Sequence, residues 1–265
     1  MKISIVTPSF NQGAFIEEAV KSILAQNYPD FEHIIVDNCS SDKTAEILKK
    51  YPHLKVICEP DKGQSDALNK GFKVATGDVI GWLNADDFYL PGCFESVRGF
   101  LENHCECDVL YGDYRWINTE GRILQNRREI EFDLFILKYL HVLYIPSTAT
   151  FFRRRIFTEG NFLDLRYRYA MDYDFFLRLA LKDYSFGHLN KILASFRWHA
   201  GNKSLEVTRA LAEQKGSLLA NDPFLRSVPL FLKNALRLLL MCVARCKRYW
   251  KKLIKGFYWS QWERQ

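Results

Sequence analysis

The chain has 265 residues, 48% hydrophobic and 26% charged, with a formal net charge of +6. That length and balance suit one large folded domain with room for an appendage, and they exclude a disordered or low-complexity chain. The charge is uneven: residues 226–265 carry ten Lys or Arg against the single acid Glu263, while the chain before them is mildly acidic, so an anionic partner is expected at the tail alone.

In chain order, an apolar β-branched run at 2–7 reads as a strand stopped by Pro8. Helical spacing at 14–25 (Phe15, Ala19, Ser22, Ile23) follows, then a strand at 31–36 ending on Asp37. Ser41 or Asp42 can cap a helix at 44–50, and a short strand at 54–58 comes next. A helix at 64–75 closes at Thr76-Gly77, and a fourth strand runs 79–83. Strands alternating with helices of this length predict right-handed βαβ units and a parallel sheet. A later strand is expected at 192–198 and a long helix at 229–255.

Ligands of such sheets bind at the carboxyl ends of the strands. Four ends here are polar: Thr7-Pro8-Ser9, Asp37-Asn38, Glu59-Pro60-Asp61 and Asn84-Ala85-Asp86-Asp87. Adjacent carboxylates repel and are costly to bury unpaired, so Asp86 and Asp87 belong either in water or beside a cation. No G-x-G-x-x-G follows the first strand and no Walker loop occurs, which disfavours nicotinamide-cofactor and P-loop readings. Phosphates bound here would need a cation, and paired carboxylates suit Mg²⁺ or Mn²⁺.

ISIVTPSFNQGAFIEEAVKSILAQNYPDFEHIIVDNCSSDKT, EPDKGQSDALNKGFKVATGDVIGWLNADD and MDYDFFLRLA resemble the family 2 glycosyltransferases over roughly 2–204. The resemblance implies an α/β protein of the GT-A fold, with a mainly parallel nucleotide-binding sheet flanked by helices. It also implies a nucleotide diphosphate sugar donor, inverting transfer and a divalent metal, Mn²⁺ or Mg²⁺. By position, Thr7 and Pro8 would line the nucleoside pocket, and Asp37 would contact the base, favouring uridine. Many relatives carry a second acid where this chain has Asn38. Glu59, Asp61, Gln64, Asp66 and Asn69 would surround nucleotide and sugar. Asp86 would face ribose or metal, and Asp87 would bind the metal; relatives often have an acid at Asn84 as well. His199, in SFRWHAGNKS, would be a third metal ligand or touch the diphosphate, and Lys203 can meet phosphate.

Transfer to a hydroxyl requires a base to remove its proton. The motif assigns that role to Asp172. Asp174 is a rival, but residues two apart on a helix face different ways, so one of them is expected in the cleft.

The organisation expected is a GT-A domain at 1–204, divided near 110 into nucleotide-sugar and acceptor halves, and a basic helical extension at 205–265. In that extension Lys233, Arg237, Arg245, Arg248, Lys252 and Lys255 fall near one helical stripe, with leucines and aromatics over much of the rest. A basic amphipathic helix of this kind fits an anionic membrane surface, and a helix packed on the domain is the alternative. No nucleic-acid reading module is recognisable. The seven cysteines, an odd number, and an opening MKISIVTP that reads as a strand rather than a leader place the protein in a reducing cytosol, peripheral on the inner face of the cell membrane. A lipid-linked saccharide acceptor in surface polysaccharide synthesis suits such a tail. A non-catalytic nucleotide-sugar-binding scaffold on the same fold is the rival function.

Overall fold

A computed structural model describes residues 1–140 and 142–257. Its first half alternates as the sequence predicts: β1 (Ile3–Ser9), α1 (Ile16–Leu24), β2 (Phe31–Asp37), α2 (Thr44–Leu48), β3 (Leu54–Cys58), α3 (Gln64–Val74) and β4 (Val79–Trp82). The four strands lie parallel in the order β3-β2-β1-β4. All seven residues of β1 are buried, as expected for a strand covered on both faces. α1 turns Ile16, Ala19, Val20 and Ile23 inward. α3 lies so close to the sheet that a Cβ at Gly71 would stand 2.3 Å from Val6 Cγ1, so a side chain there has no room.

The second half extends the same sheet. β5 (Phe88–Tyr89), α4 (Cys93–Asn103), β6 (Val109–Ile117), β7 (Ile123–Arg127) and α5 (Leu134–Tyr139) come first. β8 (Thr150–Arg153), α6 (Arg155–Thr158), α7 (Met171–Leu181) and β9 (Phe186–Arg197) follow. Strand order continues β4-β8-β6-β9-β5, with β7 pairing the end of β6 beyond β8, along the edge opposite β9. β8 is antiparallel to both β4 and β6, and β6 and β9 run parallel, so the mainly parallel sheet expected from the sequence is confined to the first half. β9 also starts earlier than its predicted position, because its first residues pair with β6.

One aromatic core joins the halves. Phe72 of α3 stacks on Phe157 of α6 at 4.4 Å, and Phe152, Phe175 and Phe176 complete the cluster. Much of the chain's high aromatic content is spent here.

The expected extension packs on the domain instead of standing off it. α8 (Val207–Asn221) and α9 (Pro223–Ser227) lead into α10 (Leu230–Ile254), and 258–265 lie outside the described residues. Buried Leu218, Leu225 and Ala244 belong to the main core, with Leu236 and Leu240 packed against it. Of the basic stripe expected on anionic lipid, Arg248, Lys252 and Lys255 are turned to acids of the domain. Lys247 and Lys251 each lie 2.7 Å from Asp133, Arg248 and Lys252 lie 2.7 and 3.1 Å from Glu129, and Lys255 lies 2.8 Å from Glu131. Asp133 and Glu129 meet the same two turns of the helix, and Glu131 meets the following turn at Lys255. Glu129 has no exposed surface. Stripping a buried carboxylate of its cations is costly where an exposed pair would be worth little.

The double variant R248A/K252A is therefore expected to lose about 3 kcal/mol of unfolding free energy, read from urea denaturation. Deleting 226–265 is expected to cost more, by also uncovering apolar core; a truncated protein as stable as the full chain would show that the extension is merely appended.

Candidate active site

A cleft of about 640 Å³ opens at the carboxyl ends of the parallel strands. Pro8 and Ser9 of β1, Asn38 after β2, Asp61 and Gln64 after β3, and Asn84 and Asp86 after β4 line it. Tyr114 and Trp116 of β6, Phe196 of β9, Trp198, His199 and Lys203 beyond it, Asp172 of α7 and Leu211 of α8 supply more of the wall.

Arg197 holds the two halves of this site together. It is 2% exposed, and its backbone N–H donates to Asp87 Oδ1 at 3.0 Å. Its guanidinium donates to the carbonyls of Asp86 (3.0 Å), Asn118 (3.2 Å) and Thr119 (2.8 Å) and pairs with Glu18 of α1. One side chain thus ties the end of β9 to the loop after β4, the β6–β7 turn and α1. Asn202 holds the turn that follows, donating to the Arg197 carbonyl and accepting from the His199 N–H.

The consequence is a pair of side chains on the cleft wall. His199 Nε2 and Asp86 Oδ2 are 2.9 Å apart. The Gly201 N–H donates to His199 Nδ1 at 3.2 Å, which puts the proton of the neutral ring on Nε2, toward Asp86. The Phe15 ring packs on the imidazole at 5.1 Å.

Asp87, expected as the metal ligand, does not reach the cleft. It is 1% exposed and is engaged by the Arg197 N–H and by Asn84 Nδ2 at 3.1 Å. Burial, with the neighbouring Asp86 charge, holds its carboxyl well above the usual carboxylate range. In this setting both carboxylate oxygens of Asp87 are engaged by the scaffold, one by the Arg197 N–H and one by the Asn84 amide. Asn84, where relatives often have an acid, is also occupied: its Oδ1 accepts from Trp82 Nε1 (2.9 Å) and Gln64 Nε2 (2.8 Å).

Several other expected contacts lie off the cleft. Thr7 is fully buried against His33, whose ring burial drives down to about 3. The Asp37 carboxylate accepts from the N–H and Oγ of Ser40 and so shapes the turn that presents Asn38. Glu59 pairs with Lys70 on the outside, and Asp66 accepts from the Lys62 N–H. Asn69 exchanges two 2.9 Å bonds with the backbone of Leu163, clamping α3 to the second half. Pro8, Asn38, Asp61, Gln64, Asp86, Asp172 and His199 are brought together on the cleft. Asp61 accepts the Gly63 N–H and gives its own N–H to Asn38, bracing two strand ends against each other.

Asp172 and Asp174 separate as helix geometry requires. Asp174 is 1% exposed, pairs with Arg178 at 2.7 Å and accepts from Ser217. Asp172 lines the cleft and accepts only its neighbour's N–H, from Tyr173 at 2.8 Å. Among the described residues no cation pairs with it, and burial pushes its carboxyl up to about 6, with the Glu213 charge adding to the effect. Lys203 and Arg168 also line the cleft; burial and then the Arg168 charge lower the Lys203 ammonium, which donates to Gln64 Oε1 at 2.8 Å.

Residues 4–160, more than half of the chain, match a family described as Glycosyl transferase family 2. The chain belongs to that family. Of this family 2 glycosyltransferase's curated relatives, a "PGL/p-HBAD biosynthesis glycosyltransferase" of Mycobacterium tuberculosis is 29% identical over 257 residues, covering 95% of this chain and 91% of the relative. The "Chondroitin synthase" of Pasteurella multocida is 29% identical over 209 residues, covering 77% of this chain and 21% of that much longer protein. Among solved structures, S. aureus TarS 1-349 in complex with UDP superposes with a TM-score of 0.63 at 21% identity, over 88% of this chain and 77% of that one. A mannosyltransferase from Pyrobaculum calidifontis in complex with GDP-Man and Mn²⁺ gives 0.66 at 16% identity, over 92% and 73%. The fold is the GT-A fold that the sequence resemblance implies.

Part of the glycosyltransferase's cleft escapes motif reasoning. Trp116 and Trp198 meet edge to face at 5.2 Å, and Phe196 meets Trp198 at 5.5 Å, giving the cleft an aromatic wall. Ser9 Oγ, Trp198 Nε1 and Gln214 Oε1 are buried without a hydrogen-bond partner, and all three residues line the cleft. Buried polar atoms are rarely left orphaned, so three around one cavity mark where a polar ligand belongs. The alternation Tyr114-x-Trp116 and Phe196-x-Trp198 was the available sequence signal, placing aromatics on one face of two neighbouring strands.

Because the Arg197 guanidinium satisfies three carbonyls and pairs with Glu18, R197M is expected to cost about 3 kcal/mol of stability. D86N, at a half-open site, is expected to unfold at the wild-type temperature. Differential scanning calorimetry of both checks the division between scaffold and site.

Proposed function

We propose that this glycosyltransferase moves a sugar, with inversion, from a nucleotide diphosphate sugar to a hydroxyl of a lipid-linked saccharide in surface polysaccharide synthesis, close to a membrane. A UDP-sugar is the favoured donor. The observation that carries the reading is the placement of Asp172, basic and free of any cation partner among the described residues, in the same cleft as the Asp86–His199 pair.

Asp172 serves as general base. A carboxyl near 6 is ionised at neutral pH yet still takes a proton readily. The acceptor oxygen forms a bond to the anomeric carbon while its proton passes to the Asp172 carboxylate. The bond from that carbon to the diphosphate breaks on the opposite face, and its electron pair leaves with the nucleotide. Lys203 and Arg168 offset the charge that the leaving group gains.

Asp86 and His199 are the residues that would hold a divalent ion. Their facing oxygen and nitrogen suit Mn²⁺ or Mg²⁺, and His199 would ligate through Nε2 as the neutral tautomer protonated on Nδ1, giving up its contact with the Gly201 N–H. Among the described residues no group of three or more His, Cys, Asp or Glu forms a metal cage, which leaves the remaining positions to diphosphate oxygens and water. Bound there, the ion supplies countercharge to the diphosphate.

On the donor side Asn38, Asp61 and Gln64 take the nucleotide, with Asp37 fixing the turn. The TarS complex with UDP supports the uridine preference. Trp116, Phe196 and Trp198 offer faces for sugar rings. Val207 and Leu211 are more than a third exposed on the cleft lining, as is Val142, which suits an acceptor carrying an apolar anchor. The name of the mycobacterial relative and that of the chondroitin synthase support glycoconjugate synthesis as the setting.

A panel of nucleotide sugars with Mn²⁺, scored for hydrolysis and transfer, tests the reading; an inert scaffold turns over none. D172N is expected to lower kcat by about 10²–10⁴. Its unfolding temperature should match or exceed wild type at pH 8, because a carboxyl raised in the folded state costs stability when ionised. In the wild type, kcat/KM should fall about tenfold per pH unit below about 6, as Asp172 takes up a proton, and D172N should lack this limb. D86N and H199A are expected to lose Mn²⁺-dependent binding of the nucleotide diphosphate by calorimetry. Full retention in both would remove the metal role from this pair.

A further inference from the structure

We propose that α10 seats the protein on a lipid bilayer through its outward apolar face, lying side-on in the headgroup–acyl boundary with its basic face turned toward the protein. The helix has 25 residues, about 37 Å at 1.5 Å per residue. At 100° per residue, a sector of about 160° contains no charged residue from one end to the other. Phe231 (82% exposed), Leu238 (59%), Leu239 (61%), Trp250 (63%), Leu253 (45%) and Ile254 (69%) stand on it. This is a contiguous apolar ridge, not scattered surface leucines.

The charges explain why lipid is the occupant. The helix carries no acid. Lys247, Arg248, Lys251, Lys252 and Lys255 are bound to Glu129, Glu131 and Asp133 on the protein side. Lys233 and Arg245 have no acidic partner among the described residues and flank the ridge, where anionic headgroups would meet them. A second copy packed ridge to ridge would bring only further cations to that rim, with no acid on either helix to pair them. Tyr249 and Trp250 add rings suited to the interface. No helix among the described residues is long and apolar enough to cross a membrane, and the paired cations on the inner face keep α10 from being surrounded by lipid.

This arrangement inverts the expectation of a basic face on lipid. With most cations consumed internally, attachment rests on apolar burial, which salt does not screen. The inference shares with the proposed function only the membrane setting, and sugar transfer to a short soluble acceptor is scored separately so that either can fail alone.

The test is flotation of the full chain with phosphatidylcholine vesicles, with and without phosphatidylglycerol, at low and high salt. Binding to both is expected, stronger with the anionic lipid and retained at high salt. L239E/L253E should lower it at least about tenfold, with circular dichroism and unfolding temperature unchanged. Brominated phosphatidylcholine should quench the fluorescence of wild type more than that of W250F. Absence of flotation overturns the proposal. So does release by high salt, which would mean adsorption by charge. A lipid-free dimer that L239E/L253E dissociates, with no vesicle binding by the wild type, would assign the ridge to a second copy.

Discussion

The crossing of Arg197 and Asp87 is the constraint on which the site depends. A buried guanidinium needs acceptors on every donor, and a buried carboxyl needs donors of its own. Here each requirement is met by chain segments far apart in sequence: the loop after β4, the β6–β7 turn, α1 and the end of β9. Satisfying both forces the sheet's two halves into one register at the cleft. Asp86 is then left on the open side, and the turn closed by Asn202 brings His199 to it. Of two adjacent aspartates, one is buried in the scaffold and the other lines the cleft.

The same division recurs in α7. Asp174 is neutralised by Arg178 and Ser217 and helps hold α7 to α8. Asp172, two positions earlier, is half-buried on the cleft with no cation partner among the described residues, and its raised carboxyl costs the folded state free energy at neutral pH. A protein selected only for stability would place an amide or a cation there. The expense is intelligible at the position proposed to accept a proton.

The C-terminal region shows how composition can mislead about orientation. Ten basic residues in 226–265 read as a surface for an anionic partner. The alternating acids at 129, 131 and 133 instead claim five of them, and the helix presents its leucines and aromatics outward. An amphipathic helix does not by itself declare which face turns inward. That depends on whether the surface it meets is apolar or charged.

The sequence by itself determined the parallel βαβ half, the polar strand ends, the family, and the choice of Asp172 over Asp174. The first two depend on local periodicity and turn residues, and the last two on motifs that resemble the family's, all of which are properties of short segments. Tertiary structure alone decided that Asp87, Thr7 and Asn69 are engaged by the scaffold while Asp86 and His199 meet, and that part of the basic stripe faces inward. Each of these outcomes turns on which distant group reaches a given side chain first: Arg197 for Asp87, His33 for Thr7, Leu163 for Asn69, Glu129 for Arg248. The partner lies far away along the chain in every case, from 26 residues to more than a hundred, so no local pattern could announce it.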